Sequence, residues 1–364
     1  MFKKFKKIKD DGISGLNRGI PFGLDRFNKY IPGVMRERLY LLGGGSGAGK
    51  SKVINELFVF TVFDDWLAKD KSYPLEIHYF SLEMTESQII AELAARWIHK
   101  TQGLLVDSQY LLSYWVDYKL SPFINEMLES NEFKQYIDDF NSCVKIIDTT
   151  LNSTTFSMYM NKLAEDSGTV HTKSVLTKEN REIKIFTSYD DNDDNQLIMV
   201  ILDHISLVKN TSGQTDKSML GAMADTMIRA RNRYKFSFVV TQQLNRAFNS
   251  TGRTRLDDIL PKDSDFRGGA DIFDAANVVL GLLSPKRERQ TSFLGFKVAD
   301  SASGKGFGNK LIILNIIKNR HGQAFTVFPL LFLGETGELF ELPKKADDYN
   351  LDNLKKYTKY YLKQ

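Results

Sequence analysis

The chain has 364 residues, 42% hydrophobic and 26% charged, with a formal net charge of +4. That composition is ordinary for a globular protein with one large α/β domain or two smaller ones, and it excludes a disordered or fibrous chain. A single cysteine, Cys143, excludes an internal disulfide framework and a cysteine-built zinc site; no apolar run is long enough to span a membrane, and the expected setting is reducing and cytoplasmic.

Residues 1–20 form a basic lead. Phe2, Phe5 and Ile8 recur every three residues, which fits a short helix with one apolar face or a frayed terminus. The lead lacks the long apolar segment of a secretory signal. From residue 39, short apolar runs alternate with helical patterns. The predicted strands are 39–42, 77–82, 144–147, 197–202, 236–241, 278–283 and 311–317. Continuous apolar runs of this length suit an α/β fold with a twisted, largely parallel sheet covered on both faces by helices.

Thr85 and Gln88 have the spacing of a capping box, and Ile89, Ile90, Leu93, Ala94 and Trp97 follow at helical intervals. Residues 103–143 also read as helical. Residues 167–196 are polar and contain Asp190-Asp191-Asn192-Asp193-Asp194. They lack the glycine and distal glutamate of a calcium loop, so a solvated insertion is expected there. Loops 209–218 and 245–270 each follow a predicted strand, which in an open parallel sheet places them on the ligand face. The domain is expected to run over 21–343, with a basic tail at 344–364.

The chemistry begins at Gly44-Gly45-Ser46-Gly47-Ala48-Gly49-Lys50-Ser51. This stretch fits G-x-x-x-x-G-K-[ST] between an apolar strand and a helical pattern carrying Val53, Ile54, Leu57 and Phe58. Glycines let successive backbone N–H groups converge on phosphate oxygens, and the helix N-terminus adds positive field. Lys50 is expected to reach the β- and γ-phosphates of ATP, and the Ser51 hydroxyl to join a Mg²⁺ shell. The strand at 197–202 ends in Asp203, the place of a Walker B carboxylate that orients Mg²⁺ directly or through water. The strand at 77–82 leads to Glu83, which can polarise a water for in-line attack, or else sits favourably near a helix start. Thr241-Gln242-Gln243-Leu244-Asn245-Arg246 closes another strand with an amide that can contact the γ-phosphate, or forms a polar surface turn.

Phe80-Ser81-Leu82-Glu83-Met84, Leu202-Asp203-His204 and Gln243-Leu244-Asn245-Arg246 together resemble the motif series of DnaB-type replicative helicases. Gly19-Ile20-Pro21-Phe22-Gly23-Leu24-Asp25 resembles that family's entry segment. Ser264-Asp265-Phe266-Arg267 and Lys318-Asn319-Arg320-His321-Gly322 resemble its later elements. The resemblance runs from about residue 19 to 343 and implies a RecA-like P-loop ATPase, with ATP held between subunits of a homo-oligomeric ring, usually a hexamer. It makes Glu83 the catalytic base, Gln243 the γ-phosphate sensor, and Lys318 and Arg320 groups acting in trans on a neighbour's nucleotide. Read without the family, Lys318 and Arg320 would be a solvated hairpin end.

Single-stranded DNA is then the expected partner, gripped without sequence readout at Lys209, Lys217, Arg267, Gly268 and Gly269. Affinity should fall with salt. A primase or a loader are further partners, and a phage or viral replication system suits the compact size. The chain departs from the family pattern in having about twenty residues before the ATPase segment, His204 after Asp203, Gly268-Gly269 after Arg267, and the polar insertion. Two other readings remain: a recombinase-like ATPase forming a filament on DNA, and a non-enzymatic ATP-binding replisome scaffold.

Overall fold

The computed structural model describes Phe2, Lys6, Lys9 and residues 19–113, 120–245, 259–266, 270–299 and 306–344. Arg246, Arg267, Gly268, Gly269 and most of the 1–20 lead and the 344–364 tail lie outside these residues.

The chain enters through Ile20, bridged to Val34, and buries Phe22, Leu24 and Phe27 against the sheet before the first strand. β1 (Leu39–Gly44) is buried along its whole length and leads into α1 (Lys50–Ile54). That helix continues through a π-helical stretch (Asn55–Phe60) into α2 (Thr61–Ala68). β2 (Leu75–Ser81) precedes α3 (Glu86–Gln102). The capping box forms as expected: the Thr85 N–H donates to Gln88 Oε1 at 2.9 Å and the Gln88 N–H to Thr85 Oγ1 at 3.4 Å. Among its described residues, region 103–143 holds three separate helices, α4 (Ser108–Leu111), α5 (Pro122–Glu129) and α6 (Asn131–Cys143), before β3 (Val144–Ile147).

After α7 (Ser153–Ser167), the solvated 167–196 insertion folds as an antiparallel hairpin, β4 (Gly168–Leu176) and β5 (Glu182–Asp191), with a register shift between His171 and Thr172. Its strands face solvent over most of their length, so the sequence shows no buried face to read. β6 (Leu197–Asp203), α8 (Asp216–Tyr234), β7 (Ser237–Gln243), α9 (Ala270–Ala275) and β8 (Val278–Leu283) follow. Two short strands, β9 (Ser292–Phe293) and β10 (Phe296–Lys297), pair with each other. β11 (Leu311–Asn319), β12 (Thr326–Phe332) and β13 (Leu339–Glu341) complete the described chain. β12 and β13 were not expected. Pro329 interrupts the strand pattern of the first, and the second is only three residues long.

The strand order is β13-β12-β11-β8-β1-β7-β6-β2-β3. β8, β1, β7, β6, β2 and β3 run parallel, and β11, β12 and β13 add an antiparallel edge. Apolar side chains cover both faces. Helices α1, α2, α3 and α6 pack one face with Tyr40, Leu42, Ile77 and Met199. Helices α7, α8 and α9 pack the other with Leu39, Leu41, Val200 and Val240. Among the described residues no helix is long and apolar enough to cross a membrane.

Candidate nucleotide site

Parallel pairing aligns the strand ends and so builds the site. Gly44 of β1 is in register with Gln243 of β7, and Ser81 of β2 with Asp203 of β6. The loop at 44–51, Glu83, Asp203 and Gln243 therefore collect at one end of the sheet, where the parallel strands present their carboxyl termini. Gly47 and Gly49 take left-handed φ values of 66° and 93°. These conformations suit glycine and let the loop bend into the start of α1.

Lys50 is buried, and its ammonium donates to the carbonyls of Gly45 at 3.1 Å and Gly44 at 3.3 Å. Burial holds its pKa below the usual lysine range, against the opposing pull of Asp203 and Glu83, while Arg287 lowers it further. Asp203 is fully buried and accepts from Thr241 Oγ1 at 2.5 Å and from the Tyr79 hydroxyl at 3.4 Å. Those two bonds fix the carboxylate beside the loop. The Tyr79 hydroxyl is held well above the usual phenol range, first by burial and then by Asp203, so it stays a proton donor. Glu83 is exposed, its carboxylate 3.9 Å from His204 Nε2. Burial lowers the His204 pKa, and its Nδ1 is buried without a hydrogen-bond partner.

The strand end at Gln243 is tied to the loop by backbone. The Leu244 N–H donates to the Gly44 carbonyl at 3.2 Å, and the Asn245 N–H to the Asp265 carbonyl at 3.0 Å. Phe266 and Leu244 press against Gly43. Gln243 is exposed beside Gly44, whereas its neighbour Gln242 is buried, donating to Phe266 O at 3.4 Å and leaving its Oε1 without a partner.

Sequence reasoning missed Arg287. It follows β8, lies over the phosphate loop, and donates to the Ser46 carbonyl at 3.4 Å. A Cβ on Gly47 would meet its guanidinium at 2.5 Å. No motif marks it, because it reaches the loop only through the pairing of β8 with β1.

Lys318 and Arg320 lie elsewhere. Lys318 is in register with Val279, and the Arg320 N–H donates to Asn277 O at 2.9 Å, at the amino-terminal end of β8. A six-residue strand at about 3.3 Å per residue separates them from their own loop by roughly 20 Å. Lys318 Nζ donates to Phe273 O at 2.8 Å and Asp274 O at 3.0 Å, and Arg320 Nε to Ala276 O at 3.2 Å. Arg231 joins them, donating to Ala275 O at 3.0 Å. The three cations thus sit on the carbonyl end of α9, where cations are favoured. Burial and the neighbouring Arg320 lower the pKa of Lys318, and burial, Arg320 and Arg38 lower that of Arg231. Lys209 and Lys217 are exposed on the stretch that follows β6, at the phosphate-loop end.

The residues present fit a nucleotide with its metal. The glycine conformations curl the loop into the start of α1, Ser51 stands in the first turn of that helix, and Asp203 is held in place by hydroxyl donors. Among the described residues no cluster of three or more His, Cys, Asp or Glu forms a protein-only metal cage. A nucleotide Mg²⁺ needs none, since it draws ligands from phosphate and water.

By sequence, no family model and no curated protein matches the chain. By structure it is similar to a solved ATPase domain, with TM-score 0.64 at 13% identity, covering 93% of this chain and 96% of that one. It is also similar to a DnaB-like replicative helicase described together with its interactions with primase. There the TM-score is 0.62 at 13% identity, over 93% of this chain and 66% of that one. A KaiC-like protein from Pyrococcus horikoshii OT3 aligns with TM-score 0.46 at 12% identity, over 90% of this chain and 99% of that one. The fold is that of RecA-like ATPases, with a mixed, mostly parallel nine-stranded sheet flanked by helices.

Proposed function

We propose that the chain is an ATP-driven DNA helicase whose sites form between subunits of a homo-oligomeric ring. The observation that carries this reading is the division of charged groups between the two ends of the sheet. Lys50, Ser51, Glu83, Asp203 and Gln243 gather at one end, and Lys318 and Arg320 stand at the other, out of reach of their own loop. Head-to-tail stacking brings the second end of one copy to the first end of the next.

In that arrangement the loop N–H groups and Lys50 bind the phosphates; Ser51 and Asp203 would hold a Mg²⁺, which would supply charge neutralisation at the phosphate oxygens. Glu83 orients the attacking water and takes up its proton. Its exposure suits this role, since water reaches it directly. Gln243 contacts the γ-phosphate. Because it continues into Leu244 and Asn245, loss of that phosphate is relayed to Asn245 and, through its N–H, to Asp265. Lys318 and Arg320 of the adjoining subunit stabilise charge developing on the γ-phosphate, a contribution of roughly 10³–10⁵ in rate in related systems. Lys209, Lys217, Arg267, Gly268 and Gly269 grip single-stranded DNA through its backbone. A primase or loader is a candidate partner, in line with the neighbour described with primase.

The test is ATP turnover with and without single-stranded DNA, alongside native mass with a slowly hydrolysed ATP analogue. The expected result is a multimer with DNA-stimulated turnover. Glu83→Gln should keep nucleotide binding and lose turnover by about 10²–10⁴-fold. Unchanged turnover in Glu83→Gln would overturn the assignment of the base. A multimer that hydrolyses ATP yet leaves a forked duplex intact would overturn the helicase reading in favour of a filament or scaffold.

A further inference from the structure

The β4–β5 hairpin takes no part in the site described above. Each strand has nine or ten residues, a reach of about 30 Å. Its root is anchored. Tyr189 and Phe186 pack on Tyr234 with ring centroids 5.2 Å and 5.9 Å apart, the Arg233 guanidinium lies 4.9 Å from the Phe186 ring, and Asp191 pairs with Arg36 and Lys235. Its outer half carries exposed apolar side chains among its charges: Ile183 is 45% exposed and Ile185 39% on one face, and Leu176 67% on the other. Val175 pairs with Ile183, and Lys173 with Ile185. A two-stranded ribbon is marginal in water unless another surface covers it, and clustered exposed apolar side chains mark contact sites.

A complementary surface lies at the opposite end of the fold. Between α3, α4, α5 and α6 runs an open groove of about 390 Å³ lined by Ile90, Ala94, Leu111, Leu112, Leu128 and Phe133. Glu86 lines its mouth, and α5 and α6 carry Glu126, Glu129, Glu132, Asp138 and Asp139 against the single cation Lys134. The outer hairpin has the reverse balance, with Lys173, Lys178, Arg181 and Lys184 against Glu179 and Glu182.

The positions also match. Seating Lys318 and Arg320 of one copy at the phosphate loop of the next moves from β11 to β1, two places along the sheet toward β3. The same step carries the root of the hairpin, at the amino-terminal end of β6, to β3. The helices between β2 and β3 form the groove. Both steps cross from the α7–α8–α9 layer of one copy to the α1–α3 layer of the other.

We propose that the hairpin is a clasp between copies of this chain, its Val175, Ile183 and Ile185 face docking in the α3–α6 groove of the adjoining subunit. This inference rests on the head-to-tail arrangement proposed above. The hairpin becomes a second attachment between copies, separate from the nucleotide. The groove begins three residues after Glu83, so the clasp also abuts the helix that follows the proposed catalytic base.

Two experiments test it. Ile183→Glu with Ile185→Glu places charges on side chains that are already exposed, so folding, checked by circular dichroism, should be retained. Native mass and sedimentation with a slowly hydrolysed ATP analogue should show assembly weakened at least tenfold. In a Cys143→Ala background, Ile183→Cys with Leu112→Cys should give ladders of covalent multimers with a short bismaleimide, and neither cysteine alone should. A wild-type multimer whose double-glutamate variant assembles equally well, with no ladder, overturns the clasp and leaves the ring intact. A wild-type chain that stays monomeric with nucleotide and DNA overturns both.

Discussion

At the scale of single residues, Gly43 shows how the site is assembled from distant parts of the chain. It has ordinary backbone geometry, so its need for glycine comes from its neighbours. A Cβ there would lie 2.2 Å from the Phe266 ring and 2.8 Å from Leu244. Those residues carry the segment that continues from Gln243. Gly43→Ala must therefore push the end of β7 away from the 44–51 loop or strain β1, at a cost of about 1–3 kcal/mol. Gly221, inside α8, makes the contrast: its nearest atom is the Asp271 carboxylate at 3.5 Å. Gly221→Ala should leave stability unchanged or raise it by up to about 1 kcal/mol, as helix interiors favour alanine. Urea unfolding of the two variants checks the pair, and equal midpoints would count against a tight Gly43 contact. The sequence marks Lys50, Ser51, Glu83, Asp203 and Gln243 because each closes a recognisable strand or loop. It marks neither the closeness of Gly43 to Phe266 nor the position of Arg287, since both depend on which strands become neighbours.

At the scale of elements, the helix after the 44–51 loop is tied to α3 by buried polar and charged side chains. Its π-helical stretch turns Asn55 and Glu56 inward toward α3. Asn55 Nδ2 donates to Glu92 at 2.9 Å, and Lys52 pairs with the same carboxylate at 3.0 Å while donating to Gly334 O at 2.7 Å. Arg96, buried on α3, pairs with Glu56 at 2.6 Å and with Asp64 at 2.7 Å. His99 and Glu338 extend the network to the turn between β12 and β13. Burial raises the Glu56 pKa even with Arg96 beside it, so this carboxylate depends on its cation. Arg96→Ala strands it, and the expected loss is about 3–5 kcal/mol. Pairing Arg96→Met with Glu56→Leu should recover most of that loss, because replacing both charges removes the desolvation cost. Chemical denaturation of the single and double variants measures the difference, and a single variant within about 1 kcal/mol of the wild type sinks the argument. The fold was readable here in part. Apolar periodicity and the Thr85 capping box locate α3, yet the same helix gives no sign that its arginine is buried. The β4–β5 hairpin is hidden for the opposite reason: with most of both faces in water, only the short Glu182-Ile183-Lys184-Ile185 run alternates, too little to mark two strands.

At the scale of the whole molecule, the two ends of the sheet make a testable claim about composition. A site built from one subunit's loop and the next subunit's cations can be broken from either side. Lys50→Ala removes the phosphate anchor but leaves its own Lys318 and Arg320 intact at the other end. Arg320→Ala does the reverse. Each variant alone should lose nearly all turnover, the second by roughly 10³–10⁵-fold. Mixed in one assembly, an intact loop from an Arg320→Ala subunit can meet an intact Arg320 from a Lys50→Ala neighbour. With random order and equal amounts, about one interface in four is whole, so turnover should return to roughly a quarter of wild type if interfaces fire independently. Recovery must need subunit exchange, so mixing after assembly is locked by a slowly dissociating analogue should give none. Arg320 also holds the end of α9, and unfolding of that helix could mimic a catalytic loss. Recovery in the mixture distinguishes the two, because a misfolded Arg320→Ala subunit would have no working loop to contribute. Absence of any recovery from two variants that are each folded and multimeric would place the second cation of the site within the same chain.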